Sequence, residues 1–229
     1  MVWMALISVS MATDVADPSL AELLNSEGWK LQRTVSTEEG PIEVHKKLIQ
    51  GFPCFQGRGQ TTVPAKLMYK IAGDAESAIE WSSNDVRHAE VLGKERNRVD
   101  YYQYLNVPLL SDRHWFLRGY HEDHGDHLRF HWEKLDQGGP HSERFNHYTS
   151  TFPGAVEPII NVGAWVFRQV GETTKVRYYI CTHPGGHIPD MMQSIGTERT
   201  LPHNLRDMFR EGQRRWEISM QKSSSAQPD

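Results

Sequence analysis

The segment Ile42-Glu43-Val44-His45-Lys46-Lys47-Leu48-Ile49 alternates apolar and polar positions. A period of two predicts a strand with one buried face. Residues 52–62, glycine-bearing and extended, predict its partner strand. Ahead of them, Leu20, Leu23 and Leu24 share one side of a helix predicted over 14–28, with Gly28 as its stop. Thr61-Thr62-Val63-Pro64 reads as a capped helix start, and Leu67, Met68 and Ile71 are spaced for one face. Asp74 predicts the cap of a second short helix through Trp81. Six more strands are predicted at 86–95, 98–106, 113–121, 127–133, 158–169 and 174–183, divided by turns such as His124-Gly125-Asp126 and Gly171-Glu172. After Pro189 the pattern is helical to about Trp216, with a break at Gly196 and an apolar face of Leu201, Leu205, Met208 and Phe209.

This order predicts one α+β domain in which a curved antiparallel sheet folds against a long closing helix. The space left between them is a natural apolar cavity. The domain is expected over 17–217, preceded by a flexible or targeting segment at 1–16 and followed by a disordered tail at 218–229.

Composition narrows the function. The 229 residues carry 25 basic and 29 acidic side chains, a net charge of −4, so nothing draws the chain to nucleic-acid phosphates. Cys54 and Cys181 stand 127 positions apart without a CxxC spacing and read as small buried thiols. The start, Met1 to Ala12, has a short apolar stretch and small residues at Ser10 and Ala12 but no preceding Lys or Arg. A cytoplasmic site is therefore the expectation, with export to the periplasm as its alternative.

Seven of 12 histidines fall between His114 and His147, and His121-Glu122-Asp123-His124-Gly125-Asp126-His127 has metal-ligand residue types. The same string is a good hairpin turn, and His127, Arg129, His131 and Glu133 form the polar side of a strand, so no metal site is expected. No GxSxG elbow or phosphate-cradling glycine loop is present, and no cofactor is expected.

Asp74 through Trp81 in the helical insert, Tyr102-Gln103-Tyr104 followed by Pro108-Leu109-Leu110-Ser111-Asp112-Arg113, and Thr182-His183-Pro184-Gly185-Gly186-His187-Ile188-Pro189, in that order before a closing helix, resemble a START domain, the lipid-transfer module of the helix-grip superfamily. The resemblance covers about residues 20–217. It implies a helix-grip fold that encloses one lipid-like molecule between sheet and closing helix. Two departures stand out: Arg113-His114 replaces the family's usual Arg-Asp, and His183 replaces the Asp that usually ends the last strand. Asp100 falls at about the position of an acid implicated in gripping the ligand in sterol-carrying members, but the matching arginine position is Gly119, so that pair is not carried over.

The expected head-group contacts are Asp100, Tyr102, Tyr104 and Arg113, with Arg113 equally suited to a structural pairing with Asp100 or Asp112. Trp115 and Leu117 share a strand face with Arg113 by period two. Trp81, Trp165, Phe167, Met192, Ile195, Leu205 and Phe209 complete the expected lipid-binding set. The leading expectation is a monomeric protein that binds, and carries, a lipid or other hydrophobic small molecule without covalent chemistry. Leu109-Leu110 would touch a membrane transiently during loading. An enzyme of the cyclase/aromatase or hydrolase type, acting through His114, His183 or Arg113, is one rival. An interaction module with a filled interior is another.

Overall fold

The computed structural model of the chain describes residues 17–107, 111–135, 137, 139–183, 185 and 190–225, and of 190–196, 224 and 225 the backbone only. Nine strands form one antiparallel, unclosed sheet: β1 (Lys30–Thr37), β2 (Gly40–Ile49), β3 (Phe52–Thr61), β4 (Val86–Lys94), β5 (Arg98–Leu105), β6 (Arg113–Asp123), β7 (Leu128–Lys134), β8 (Ile160–Val170) and β9 (Thr173–His183). Their spatial order is β1-β2-β3-β9-β8-β7-β6-β5-β4. The helices are α1 (Leu20–Leu24), α2 (Ala65–Ala72), α3 (Ala78–Trp81), α4 (Ser142–Thr151) and α5 (Asp190–Ser225). This is the helix-grip arrangement that the sequence predicts.

Helix α5 lies against the β2–β3 end of the sheet because β3 carries glycines there. A Cβ built on Gly57 would stand 2.6 Å from methyls of both Leu201 and Leu205, and one on Gly59 would stand 2.9 Å from the Phe209 ring. The absent side chains let the helix sink into the sheet, and Leu201, Leu205, Met208 and Phe209 are buried in one core with Ile42, Val44 and Phe55. Pro202 sits inside α5 and has no N–H for the Glu198 carbonyl. Arg33 supplies the missing donor, its Nη2 reaching that oxygen at 2.9 Å.

The elements depart from expectation in traceable ways. β1 is exposed over most of its length, so it shows no apolar period to read. α4 buries only Phe145 and Tyr148 and was not foreseen either. α1 is five residues, started by a capping box of Ser19 and Glu22. The first residue of α2 follows Pro64 with no side-chain cap, and the Ala65 N–H is taken by Gln169 Oε1 at 2.9 Å. Asp74 does not cap α3 with its carboxylate, which pairs with Arg215 instead. Gly196 does not interrupt α5, and the helix runs beyond Trp216 to Ser225, supported by a Gln213–Glu217 bond at 2.8 Å.

The cysteine reading is corrected. Cys54 and Cys181 are directly opposite in the β3–β9 ladder and form a disulfide. Sequence spacing is silent on this, because the pairing of a third strand with the ninth brings distant positions into register.

Candidate functional site

The register of β5 against β6 decides what faces inward. Directly opposed residues of an antiparallel pair share a face. The ladder opposes Leu105 to Arg113, Gln103 to Trp115 and Tyr101 to Leu117, and all six line a cavity of about 930 Å³ between sheet and helices. Phe130 and Trp132 of β7 and Trp165 of β8 extend its floor. Tyr178 and Ile180 of β9 continue it toward α5, whose Leu201, Asn204 and Met208 form the opposite wall. Ile71, Ala75, Ala78 and Trp81 close one side. The volume is at the upper end of the ~300–1,000 Å³ typical of small-molecule sites.

Glycines again make room for rings. A Cβ on Gly119 would meet Phe130 at 2.5 Å, and one on Gly163 would meet Trp132 at 2.2 Å. Gly119, where the resemblance would place an arginine, is thus occupied space for an aromatic ring.

Most polar groups in the wall are already satisfied by protein. Trp115 Nε1 donates to Gln103 Oε1 at 3.1 Å, and Gln103 Nε2 donates to the Ala75 carbonyl at 3.0 Å. Trp132 Nε1 donates to Asn161 Oδ1 at 3.0 Å, and Trp81 Nε1 to Ser77 Oγ at 3.1 Å. With their N–H groups taken, the indoles offer apolar surface to a ligand. Tyr101 and Tyr178 bring hydroxyls to the interior. Burial raises the Tyr101 phenol far above its ordinary range and pushes Tyr178 up to about 12 against a hydrogen bond with Asn204, so both stay neutral donors.

Among the described residues Arg113 is the one charged group buried in the wall, 6% exposed, and burial holds its pKa below the ordinary arginine value. Its Nη1 donates to the carbonyls of Ser111 at 2.5 Å and Asp112 at 3.3 Å, and Nη2 to that of Gly185 at 3.4 Å. The expected structural pairing with Asp100 or Asp112 is not made. Asp112 accepts from the Val107 N–H at 3.1 Å and from the Tyr104 hydroxyl.

Asp100, Tyr102 and Tyr104 are corrected as cavity residues. They do share a face, but it is the outer one, covered by α4. Asp100 is opposed to Arg118 and bonded to it twice at 2.8 Å, with His141 Nε2 at 3.0 Å. Tyr102 stacks on Tyr148 with ring centroids 3.8 Å apart, and Tyr104 stacks on Phe152 at 4.1 Å. His114 is buried in the same outer cluster, its pKa pushed down by burial. His183 packs edge-on to Phe52. Neither histidine lines the cavity.

Trp81, Arg113, Trp115, Leu117 and Trp165 therefore face the cavity, whereas Phe167, Leu205 and Phe209 lie in the core outside its wall. The side chains of Met192 and Ile195, and residues Leu109, Leu110, Gly186, His187, Ile188 and Pro189, lie outside the described residues. Tyr101, Gln103, Trp132 and Tyr178 were missed. The signal for the first two was available: once 113, 115 and 117 face in, the opposed positions on the preceding strand must follow.

The histidine string spends its side chains on neighbours. His124 pairs with Glu122 at 3.1 Å, His127 with Asp126 at 2.7 Å, and His121 packs against Tyr69. Among the described residues no group of three or more His, Cys, Asp or Glu side chains is placed to hold a metal ion.

No protein-family model and no curated protein matches the chain. Solved structures do. A STAR-related lipid transfer protein from Xanthomonas axonopodis aligns over 82% of this chain and 99% of its own, at 20% identity and a TM-score of 0.68. Human STARD10 aligns over 91% of this chain and 82% of its own, at 15% identity and 0.69. The ZhuI aromatase/cyclase from Streptomyces sp. R1128 aligns over 71% and 94%, at 12% identity and 0.52. These likenesses show that the chain has the START-type helix-grip fold, which both lipid-transfer proteins and an aromatase/cyclase share.

Proposed function

We propose that the protein binds a lipid or similarly sized hydrophobic molecule in the cavity between the sheet and α5, and carries it without changing it. The observation that supports this reading is the wall itself: four tryptophans, Trp81, Trp115, Trp132 and Trp165, turn apolar rings to about 930 Å³ of space. Burying an alkyl chain there is worth about 0.8 kcal/mol per methylene, so affinity needs few polar contacts. The hydrophobic surface gives no reason to require a nucleic acid, metal or cofactor. The aromatase/cyclase rival would act through His114, His183 or Arg113; the two histidines, which could exchange protons, do not line the cavity, and Arg113, which does, suits binding an anion better than moving a proton.

The test uses the cavity tryptophans as reporters. Delipidated protein is titrated with fatty acids, sterols and phospholipids brominated along the chain, which quench indole fluorescence on contact. Saturable quenching at one equivalent supports an internal site. Quenching that grows without saturation, or none, contradicts it.

A further inference from the structure

Among the described residues, four charged side chains lie in the cavity wall: Asp74, Asp85, Arg113 and Arg199. Both acids are already neutralised, Asp74 by Arg215 at 2.8 Å and Asp85 by Arg87 at 2.6 Å. Arg199 is exposed to water. Arg113 is different: it is buried, its partners among the described residues are carbonyl oxygens, and its Nε has no hydrogen-bond partner among them. No carboxylate among the described residues forms an ion pair with it; the adjacent Asp112, outside the cavity wall and bonded to the Val107 N–H and the Tyr104 hydroxyl, offsets the Arg113 charge through space only, and burial outweighs that effect. Among the described residues of the wall itself, the charge left without a contacting counter-ion is therefore the buried guanidinium of Arg113. A cation removed from water calls for a counter-charge, and carbonyl dipoles supply only part of one.

We propose that the ligand is an acidic amphiphile, a long apolar body ending in a carboxylate, sulfate or phosphate that pairs with Arg113. This rests on the reading of the cavity as a ligand site. A guanidinium suits such a head because its planar fork gives parallel hydrogen bonds to two oxygens. The rest of the wall fits the remainder of the molecule. From Arg113 the inner face of β6 continues through Trp115, whose N–H is occupied, to Leu117 and then to Gly119 under the Phe130 ring. An acid anchored at the start of β6 thus has an aromatic and aliphatic track along which its body lies.

The test compares matched ligands on delipidated wild-type protein: oleate against oleyl alcohol, and cholesteryl sulfate against cholesterol. Dissociation constants are read from tryptophan fluorescence and calorimetry at one pH and salt concentration. The acidic member of at least one pair is expected to bind about 10-fold to 100-fold more tightly, the range for a charge-assisted contact. Arg113→Gln, checked for folding by circular dichroism, brings the acid to the level of its neutral partner and leaves the neutral ligand unchanged. Because Arg113 also ties loop carbonyls, Arg113→Lys is measured alongside, and it retains part of the preference. Equal binding of both members of each pair, or a preference that survives Arg113→Gln, overturns the proposal while leaving the cavity reading intact. Failure of all four ligands to bind overturns both.

Discussion

Arg118 holds Asp100 by two hydrogen bonds of 2.8 Å on the face of the sheet turned away from the cavity. Burial alone would raise the Asp100 carboxyl. The bonds from Arg118 and His141 and the charges of Arg118 and Arg98 outweigh that and hold it below the ordinary aspartate value. The pair therefore braces the β5–β6 ladder and the α4 cover, and neither side chain lines the cavity.

Asp100→Asn is expected to cost about 2–4 kcal/mol of stability by leaving Arg118 without its buried partner. Ligand affinity stays within twofold of wild type. Urea denaturation read beside a ligand titration separates the two effects, and an affinity loss larger than the stability loss explains would return Asp100 to the ligand site.

Stability should fall on mild acidification. His114, His121 and His131 all have pKa values held below the ordinary imidazole value, chiefly by burial. Their unfolded forms take up protons near pH ~6.5 while the folded forms resist, so the unfolded state binds more protons as pH drops. The stabilisation is complete above that value and is lost as pH falls through the folded-state values. Thermal unfolding is expected several degrees lower at pH 5.5 than at pH 7.5, and a flat or reversed profile would contradict this assignment.

Gly57→Val places branched carbons where Leu201 and Leu205 now touch the backbone of β3. Overpacking of this kind costs about 1–3 kcal/mol. The expected readouts are a lower unfolding midpoint and faster hydrogen exchange along α5 around Leu201–Phe209. A substitution accepted without either change would mean that the helix does not sit down on β3 as described.

Removing the cross-strand bond by Cys54→Ala with Cys181→Ala is expected to cost about 2–5 kcal/mol, as for a long loop closed by a disulfide. Intact-mass measurement of untreated protein should find it two hydrogens lighter than the reduced form. Two free thiols in protein purified under oxidising conditions would contradict the pairing.

Much of the architecture was legible because burial leaves a pattern. β2 reads directly from Ile42, Val44 and their polar alternates, and the strands after it from strand-length runs divided by turns such as His124-Gly125-Asp126 and Gly171-Glu172. β1 was not, since a strand exposed along most of its length has no period to show. The candidate site was half legible for a related reason. Period two groups Asp100, Tyr102 and Tyr104 correctly, yet it does not say which group faces the cavity. That choice is fixed by the pairing of Leu105 with Arg113 across a loop whose length conceals the register. The disulfide was invisible for the same reason, because it depends on β3 lying beside β9.

The central claim is that the interior is a chamber for one hydrophobic molecule. Thr182→Trp adds a ring to the cavity wall without removing a core side chain. The decisive measurement is native mass spectrometry of wild type and this variant, each loaded from the same lipid extract, with the released adduct identified. The account predicts one lipid-sized adduct per wild-type chain and its loss or strong reduction in a folded variant. Equal adducts on both proteins, or a bare wild-type mass after loading, would contradict it.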